Sequence, residues 1–272
     1  MEDPEPVSVT HDSLVSAKID LMFDSEILAG GTAFFYRRDE ETFLLTNWHN
    51  VTGRAPVTRR ILSKSAATPD KLVVTVPGIS ESGIVKFVRV KIPLYRDEEK
   101  QHPVWWVHPV HADRIDLAVI PLSAALLQDI SNKIRMVVAN EDLVNNPHVQ
   151  LGVGQDVFTI GFPRLMDAGG LPIWKRGSLA SHPSQALEGL PKFYIDTATR
   201  EGMSGSPVFA RGMVSVRIPG NQLSGFEVRN RFIGIYSGRV GDDTFQAQLG
   251  VVWRESAIVD TIIGRTIGKT SF

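Results

Sequence analysis

The chain has 272 residues, enough for one large or two small packed domains. Charged residues make up 22% and hydrophobic residues 43%, ordinary for a soluble globular protein, and a formal net charge of −1 argues against nucleic-acid binding as its main task. With no cysteine, no disulfide can staple the fold, and a reducing compartment fits that composition. The acidic, proline-rich start Met1-Glu2-Asp3-Pro4-Glu5-Pro6 is unlike a secretory signal, and no apolar run approaches the ~18 residues of a membrane span. A cytoplasmic protein without membrane contact is the expectation.

Residues 1–13 read as a flexible lead-in. Then Val15, Ala17, Ile19, Leu21 and Phe23 alternate with Ser16, Lys18, Asp20 and Met22, the period-two pattern of a half-buried strand. Gly30-Gly31 precedes the run Thr32 to Tyr36; Arg37 to Glu41 is a charged turn, and Thr42 to Thr46 the return strand. The apolar run from Phe43 to Val51 carries His49 near its end. Residues 53–71 are broken by Gly53, Pro56 and Pro69 and hold Arg54, Arg59, Arg60, Lys64 and Lys71. They read as a surface loop, either merely solvated or in contact with a substrate or partner. Leu72 to Val76, Ile84 to Ile92 and Val104 to Val107 are further predicted strands. His102, His108, His111 and Asp113 cluster in sequence but fit no metal-ligand spacing, so no metal and no cofactor is expected. Asp116 opens the apolar run Leu117 to Leu122.

Leu126, Leu127 and Ile130 suggest a short helical turn, and Asn140 to Pro147 is polar and turn-rich. The predicted division is a first half over 14–130, a linker over 131–150, a second half over 151–254, and a closing helix and tail over 255–272. In the second half, Val153 to Pro163, Ile173 to Ser181 and Phe193 to Thr197 read as strands. They lead to Gly202-Met203-Ser204-Gly205-Ser206-Pro207. Glycines on both sides of a serine suit a tight turn that aims a hydroxyl outward and leaves backbone N–H groups unpaired. Pro207 to Ala210 and Met213 to Ile218 follow as strands, then a loop from Pro219 to Asn230, then strands at Phe232 to Gly238 and Gly250 to Trp253. Many short strands between Gly/Pro turns indicate a sandwich or barrel.

His49, Asp116 and Ser204 are the residue types that acyl transfer demands. A serine hydroxyl needs a base to remove its proton, and imidazole titrates near neutral pH. The imidazole needs a carboxylate to fix its tautomer and stabilise its charged form. Taken singly, the serine motif could be an ordinary Gly/Ser loop, and Asp116 a strand-end charge.

Together, Leu45-Thr46-Asn47-Trp48-His49-Asn50-Val51, Asp116-Leu117-Ala118-Val119 and the Gly202–Pro207 motif resemble the signatures of trypsin-like serine proteases of the chymotrypsin fold. The similarity is to the bacterial, disulfide-free branch that includes the high-temperature-requirement proteases, and it covers most of the chain. It implies an all-β protein of two six-stranded antiparallel Greek-key β-barrels, with the active site in the cleft between them and a short C-terminal helix. It implies His49 as base, Asp116 as orienting carboxylate, Ser204 as nucleophile, and the N–H groups of Gly202 and Ser204 as oxyanion hole. It also implies a substrate pocket with Ala198 at its base, Thr199 beside it, and Tyr236, Ser237 and Gly238 along one wall. No charge stands at that base, so cleavage after a small or medium apolar residue is expected, and Arg200 and Glu201 lie at the rim. Met203 occupies the position where digestive relatives place an aspartate that holds a freed N-terminus, so control by such a cleavage is not expected. The implied substrate is a protein or peptide. Two further readings stay open: a latent protease that needs an activating protein partner, and a non-catalytic binding module that keeps the fold.

Overall fold

Period-two burial organises the first half of the chain. In strand β1 (Ser16–Phe23), Ala17, Ile19 and Leu21 are buried while Lys18, Asp20 and Met22 stay partly exposed. The computed structural model describes residues 9–198, 201–217, 224–240 and 248–270. The end of the lead-in and the first residue of the first half form a 3-10 turn, His11–Leu14, that buries Leu14. β1 pairs antiparallel with β2 (Glu26–Arg38), and β2 turns through Asp39-Glu40 into β3 (Glu41–Thr46). β3 is buried from Thr42 to Thr46 and runs directly into a single helical turn, α1 (Trp48–Thr52). Beyond the loop at 53–70, β4 (Lys71–Ile79) pairs with the other edge of β1 and hairpins into β5 (Val85–Pro93). β6 (Trp106–Val107) and β7 (Ala118–Pro121) extend the opposite side, with β7 paired to β3.

The polar connection holds α2 (Ala124–Ser131), whose first turn is capped by the Ser123 hydroxyl accepting the Leu126 N–H. Then come β8 (Asp156–Gly161), β9 (Ile173–Leu179), β10 (Lys192–Asp196), β11 (Pro207–Arg217), β12 (Ser224–Arg239) and β13 (Leu249–Arg254). They close into a barrel in the order β10-β13-β12-β11-β8-β9. A helix, α3 (Glu255–Gly264), and a two-residue strand, β14 (Thr266–Ile267), follow.

Two expectations are corrected. The first half is not a six-stranded barrel but an eight-stranded sheet, in the order β14-β6-β7-β3-β2-β1-β4-β5. The additional edge comes from β14, which folds back from beyond α3 to pair with β6. The segment read as a loop from Pro219 to Asn230 is strand from Ser224 onward, in register with β11 from Arg217↔Ser224 to Pro207↔Ile235. Phe226 and Val228 alternate there with charged residues but stand exposed, so the pattern lacks the buried face that marks a strand in sequence. Among the described residues, no helix is long and apolar enough to cross a membrane.

Three apolar clusters hold these sheets. One lies within the first sheet around Trp48, Leu44, Val74 and Trp105, and one within the barrel around Phe193, Ile195, Met203 and Tyr236. The third is the seam, where Phe34, Tyr36, Leu45 and Val119 from the first sheet meet Phe209, Phe232, Trp253 and Ile258. The Phe34 and Phe232 ring centroids lie 5.4 Å apart, and the Tyr36 hydroxyl donates to Glu255 Oε1 at 2.9 Å. This seam fixes the position of the His49 turn relative to the Ser204 loop.

Candidate active site

A five-residue helix is too short to hold itself in water, so α1 depends on anchors. Trp48 and Val51 are fully buried, and Gly53, at φ 67°, ends the turn with its N–H donating to the His49 carbonyl at 2.9 Å. Between those anchors His49 is left at the surface of the turn, its side chain 15% exposed. Asp116 is buried just ahead of β7, and its backbone carbonyl accepts Asn47 Nδ2 at 2.7 Å. Its carboxylate receives three donors: the His49 N–H on Oδ1 at 3.0 Å, and His49 Nδ1 at 2.8 Å and the Ser237 hydroxyl at 2.6 Å, both on Oδ2. A carboxylate oxygen accepts, so His49 Nδ1 is the donor in this contact and Nε2 is the ring nitrogen turned away from Asp116.

The Ser204 loop folds as its glycines require. Gly205 has φ 87°, and a Cβ there would stand 2.0 Å from the Thr32 carbonyl oxygen, so no side chain fits. The loop is bonded across the seam to β2. The Ser204 carbonyl accepts the Thr32 N–H at 3.0 Å, and the Gly202 carbonyl accepts the Thr32 hydroxyl at 2.8 Å. The Glu201 carbonyl accepts the Arg164 N–H at 2.6 Å. Because C=O and N–H point oppositely within one planar peptide, this bond turns the Gly202 N–H the other way. Among the described residues neither the Gly202 nor the Ser204 N–H has an acceptor.

His49, Gly202 and Ser204 line one cavity of about 770 Å³, with Leu28, Leu62, Arg164 and Glu201 around them. The Ser204 hydroxyl donates to the Ser237 carbonyl at 3.2 Å, and among the described residues no hydrogen bond joins it to His49. The 53–71 loop reaches the cavity through Leu62, Ser63, Ala67 and Pro69 rather than its cations. Arg59 pairs instead with Asp113 at 3.0 Å and lies over the Trp48 ring.

The remaining predicted site residues are dispersed. Ala198 is exposed, and Thr199 and Arg200 lie outside the described residues. Tyr236 is buried in the barrel, with ring carbon Cε2 2.6 Å from where a Cβ of Gly250 would stand. Gly238 pairs with Val251 across a bulge, while Ser237, predicted as pocket wall, turns its hydroxyl to Asp116. Of the histidine cluster, His108 is buried. Its Nδ1 accepts the N–H groups of Val110 and His111, each at 3.2 Å, and its Nε2 faces Asp260 at 3.6 Å. Burial, and then His111 beside it, push its pKa below the ordinary histidine value against the pull of Asp260. It locks the loop ahead of Asp116. Sequence reading missed Thr32, Asn50 and Arg164 as contributors, although Thr32 and Asn50 stand inside the two stretches that flank the histidine hairpin.

A family model of trypsin-like peptidase domains matches residues 31–214. The chain belongs to that family. Membership places this peptidase domain among the serine endopeptidases. Solved structures similar to it include a serine endoprotease from Yersinia pestis, at 12% identity and TM-score 0.48, covering 95% of this chain and 67% of that one. A protease from Mycobacterium tuberculosis in its active form is similar at 16% identity and TM-score 0.46, over 96% of this chain and 83% of that one. The HtrA-type protease AlgW with a tripeptide is similar at 14% and TM-score 0.48, and the peptidase domain spans 60% of its length while 92% of this chain is covered. No curated protein matches the sequence.

Proposed function

We propose that the peptidase domain hydrolyses peptide bonds in proteins or peptides through Ser204, His49 and Asp116, by way of an acyl-enzyme. The observation that carries this is the Asp116 carboxylate, which grips His49 at both its backbone N–H and Nδ1 while Ser204 lines the same cavity. His49 Nε2 takes the Ser204 proton as Oγ attacks the substrate carbonyl carbon. The oxyanion forms against the Gly202 and Ser204 N–H groups, where one donor contributes about 3–4 kcal/mol in the transition state. His49 then gives the proton to the leaving amine, which departs with the breaking C–N bond and leaves a Ser204 ester. Water, deprotonated by His49, attacks that ester. The acid is released and the proton returns to Ser204.

The uncharged Ala198 supports a small or medium apolar residue at the cleaved position. The cysteine-free composition fits work in a reducing compartment such as the cytoplasm.

One observation favours a second, latent form of the same reading. At rest the Ser204 hydroxyl is spent on the Ser237 carbonyl, and it must turn toward His49 before it can react. The exchange gives up one ordinary hydrogen bond, about 1 kcal/mol, so substrate alone can drive it and a protein partner can stabilise it further.

The test is labelling of the intact chain with a fluorophosphonate, read by intact mass, beside Ser204→Ala and His49→Ala. A single adduct on the wild type, lost in both variants, is expected. An adduct that persists in Ser204→Ala overturns the assignment. A folded wild type that takes no adduct overturns the self-sufficient enzyme in favour of the latent one.

A further inference from the structure

Resting on that reading, we infer that Asn50 is a positioning residue: its amide ties the main chain of the nucleophile to the turn that carries the base. Asn50 follows His49 on α1 and is buried at 3% exposure, with its side chain on the opposite task. Nδ2 donates to Thr46 Oγ1 at 2.9 Å and to the Ser204 carbonyl at 3.3 Å. One helical turn therefore sets both the imidazole and the backbone of the serine.

The chemistry demands an amide at this position. Thr46 has one hydroxyl proton, and it is spent on the Thr32 carbonyl at 2.8 Å. The atom that faces Thr46 Oγ1 from residue 50 must therefore donate. The Ser204 carbonyl can only accept, and it already holds the Thr32 N–H at 3.0 Å. Two acceptors need two protons from one atom, which Nδ2 supplies and a carboxylate or an apolar side chain cannot. The close approach has a structural cause in β2: a Cβ at Gly31 would lie 3.0 Å from Asn50 Nδ2, so the glycine makes room for the amide. Thr32, Thr46 and Asn50 thus form one buried network, and the Ser204 carbonyl sits at its end. Loosening that end by about 1 Å changes the reacting geometry enough to cost on the order of 10²-fold in rate.

The test compares the wild type with Asn50→Asp and Thr46→Val by two readouts. The first is the rate of fluorophosphonate labelling at saturating probe. The second is backbone hydrogen exchange at Gly205 and Ser206, whose N–H groups donate to the carbonyls of Tyr236 on β12 and of Met203 in the serine loop. Both variants are expected to label about 10- to 100-fold more slowly with the half-saturating probe concentration unchanged, and to exchange those two amides at least tenfold faster. Exchange in β8 and β1 should stay at the wild-type rate, and Thr46→Ser should recover most of what Thr46→Val loses. Asn50→Asp that labels and exchanges like the wild type overturns the inference. So does slow labelling with unchanged exchange at Gly205 and Ser206. If Asn50→Asp does not fold, Asn50→Ala carries the same comparison. If the wild type itself takes no label, the self-sufficient enzyme gives way to the latent one while the exchange arm still decides the role of Asn50.

Discussion

The hydroxyl of Ser237 donates to Asp116 Oδ2 at 2.6 Å, on the same oxygen that holds the imidazole. Ser237→Ala removes that donor but leaves the Ser237 carbonyl that faces Ser204. Hydrogen bonds to charged groups contribute about 1.5–3 kcal/mol, and here part of that serves to aim the carboxylate. We expect fluorophosphonate labelling to slow by roughly tenfold, with thermal stability nearly unchanged. A wild-type labelling rate would show that His49 alone orients Asp116.

Thr32 is fully buried, and its hydroxyl serves two backbone groups, accepting the Phe162 N–H at 3.1 Å and donating to the Gly202 carbonyl at 2.8 Å. Thr32→Val keeps the volume and strands both partners. Each buried unpaired group costs about 1–3 kcal/mol, so urea denaturation should show a clear loss of stability. On the proposed mechanism, labelling should slow more than tenfold, because the freed Gly202 carbonyl no longer holds the serine loop in place. Unchanged denaturation would mean that the loop relaxes without this tie.

The barrel interior beside the serine loop is filled rather than open, since the Tyr236 ring occupies the space that Gly250 leaves. Profiling with a peptide library should return cleavage after alanine- to valine-sized residues. A profile dominated by basic or aromatic residues at that position would overturn the assignment of Tyr236 and Ala198.

His108 titrates against folding. Its folded pKa lies below the unfolded value of about 6.5, chiefly through burial and then through His111, with Asp260 opposing. As pH falls, the unfolded chain therefore binds the proton first. The stability this site contributes is complete above pH ~6.5 and is lost as pH drops through the folded value. His108→Asn offers an acceptor to the Val110 and His111 N–H groups and does not titrate. Urea midpoints at pH 7.5 and 5.5 should differ less for His108→Asn than for the wild type. Equal differences would place the acid sensitivity elsewhere.

What the sequence made legible follows from how local each device is. The His49 turn and the Ser204 loop are built within a few residues, so their glycines and apolar flanks announce them. The strands of the second half were readable for the same reason, apart from the first part of β12, where Phe226 and Val228 face outward. The ties that set the site join residues far apart in the chain: Thr32 to Gly202, Asn50 to Ser204, Ser237 to Asp116. No spacing rule relates such partners. Strand position places Ser237 on one wall of the expected pocket, while the direction of its hydroxyl toward Asp116 is not legible in sequence. The eight-stranded first sheet was hidden in the same way, since β14 is two residues long and pairs with a strand some 160 positions earlier.

That last pairing makes the first sheet the last thing finished during synthesis. β6 and β7 leave the ribosome early, yet the partner for the outer edge of β6 is Thr266-Ile267, made only after the whole barrel and α3. At about 5–20 residues per second, the edge waits on the order of ten to thirty seconds. Through that interval the nascent chain carries an open strand edge beside Trp105 and Trp106, a template for another polypeptide. The fold thus ties the solubility of its first half to completion of its second.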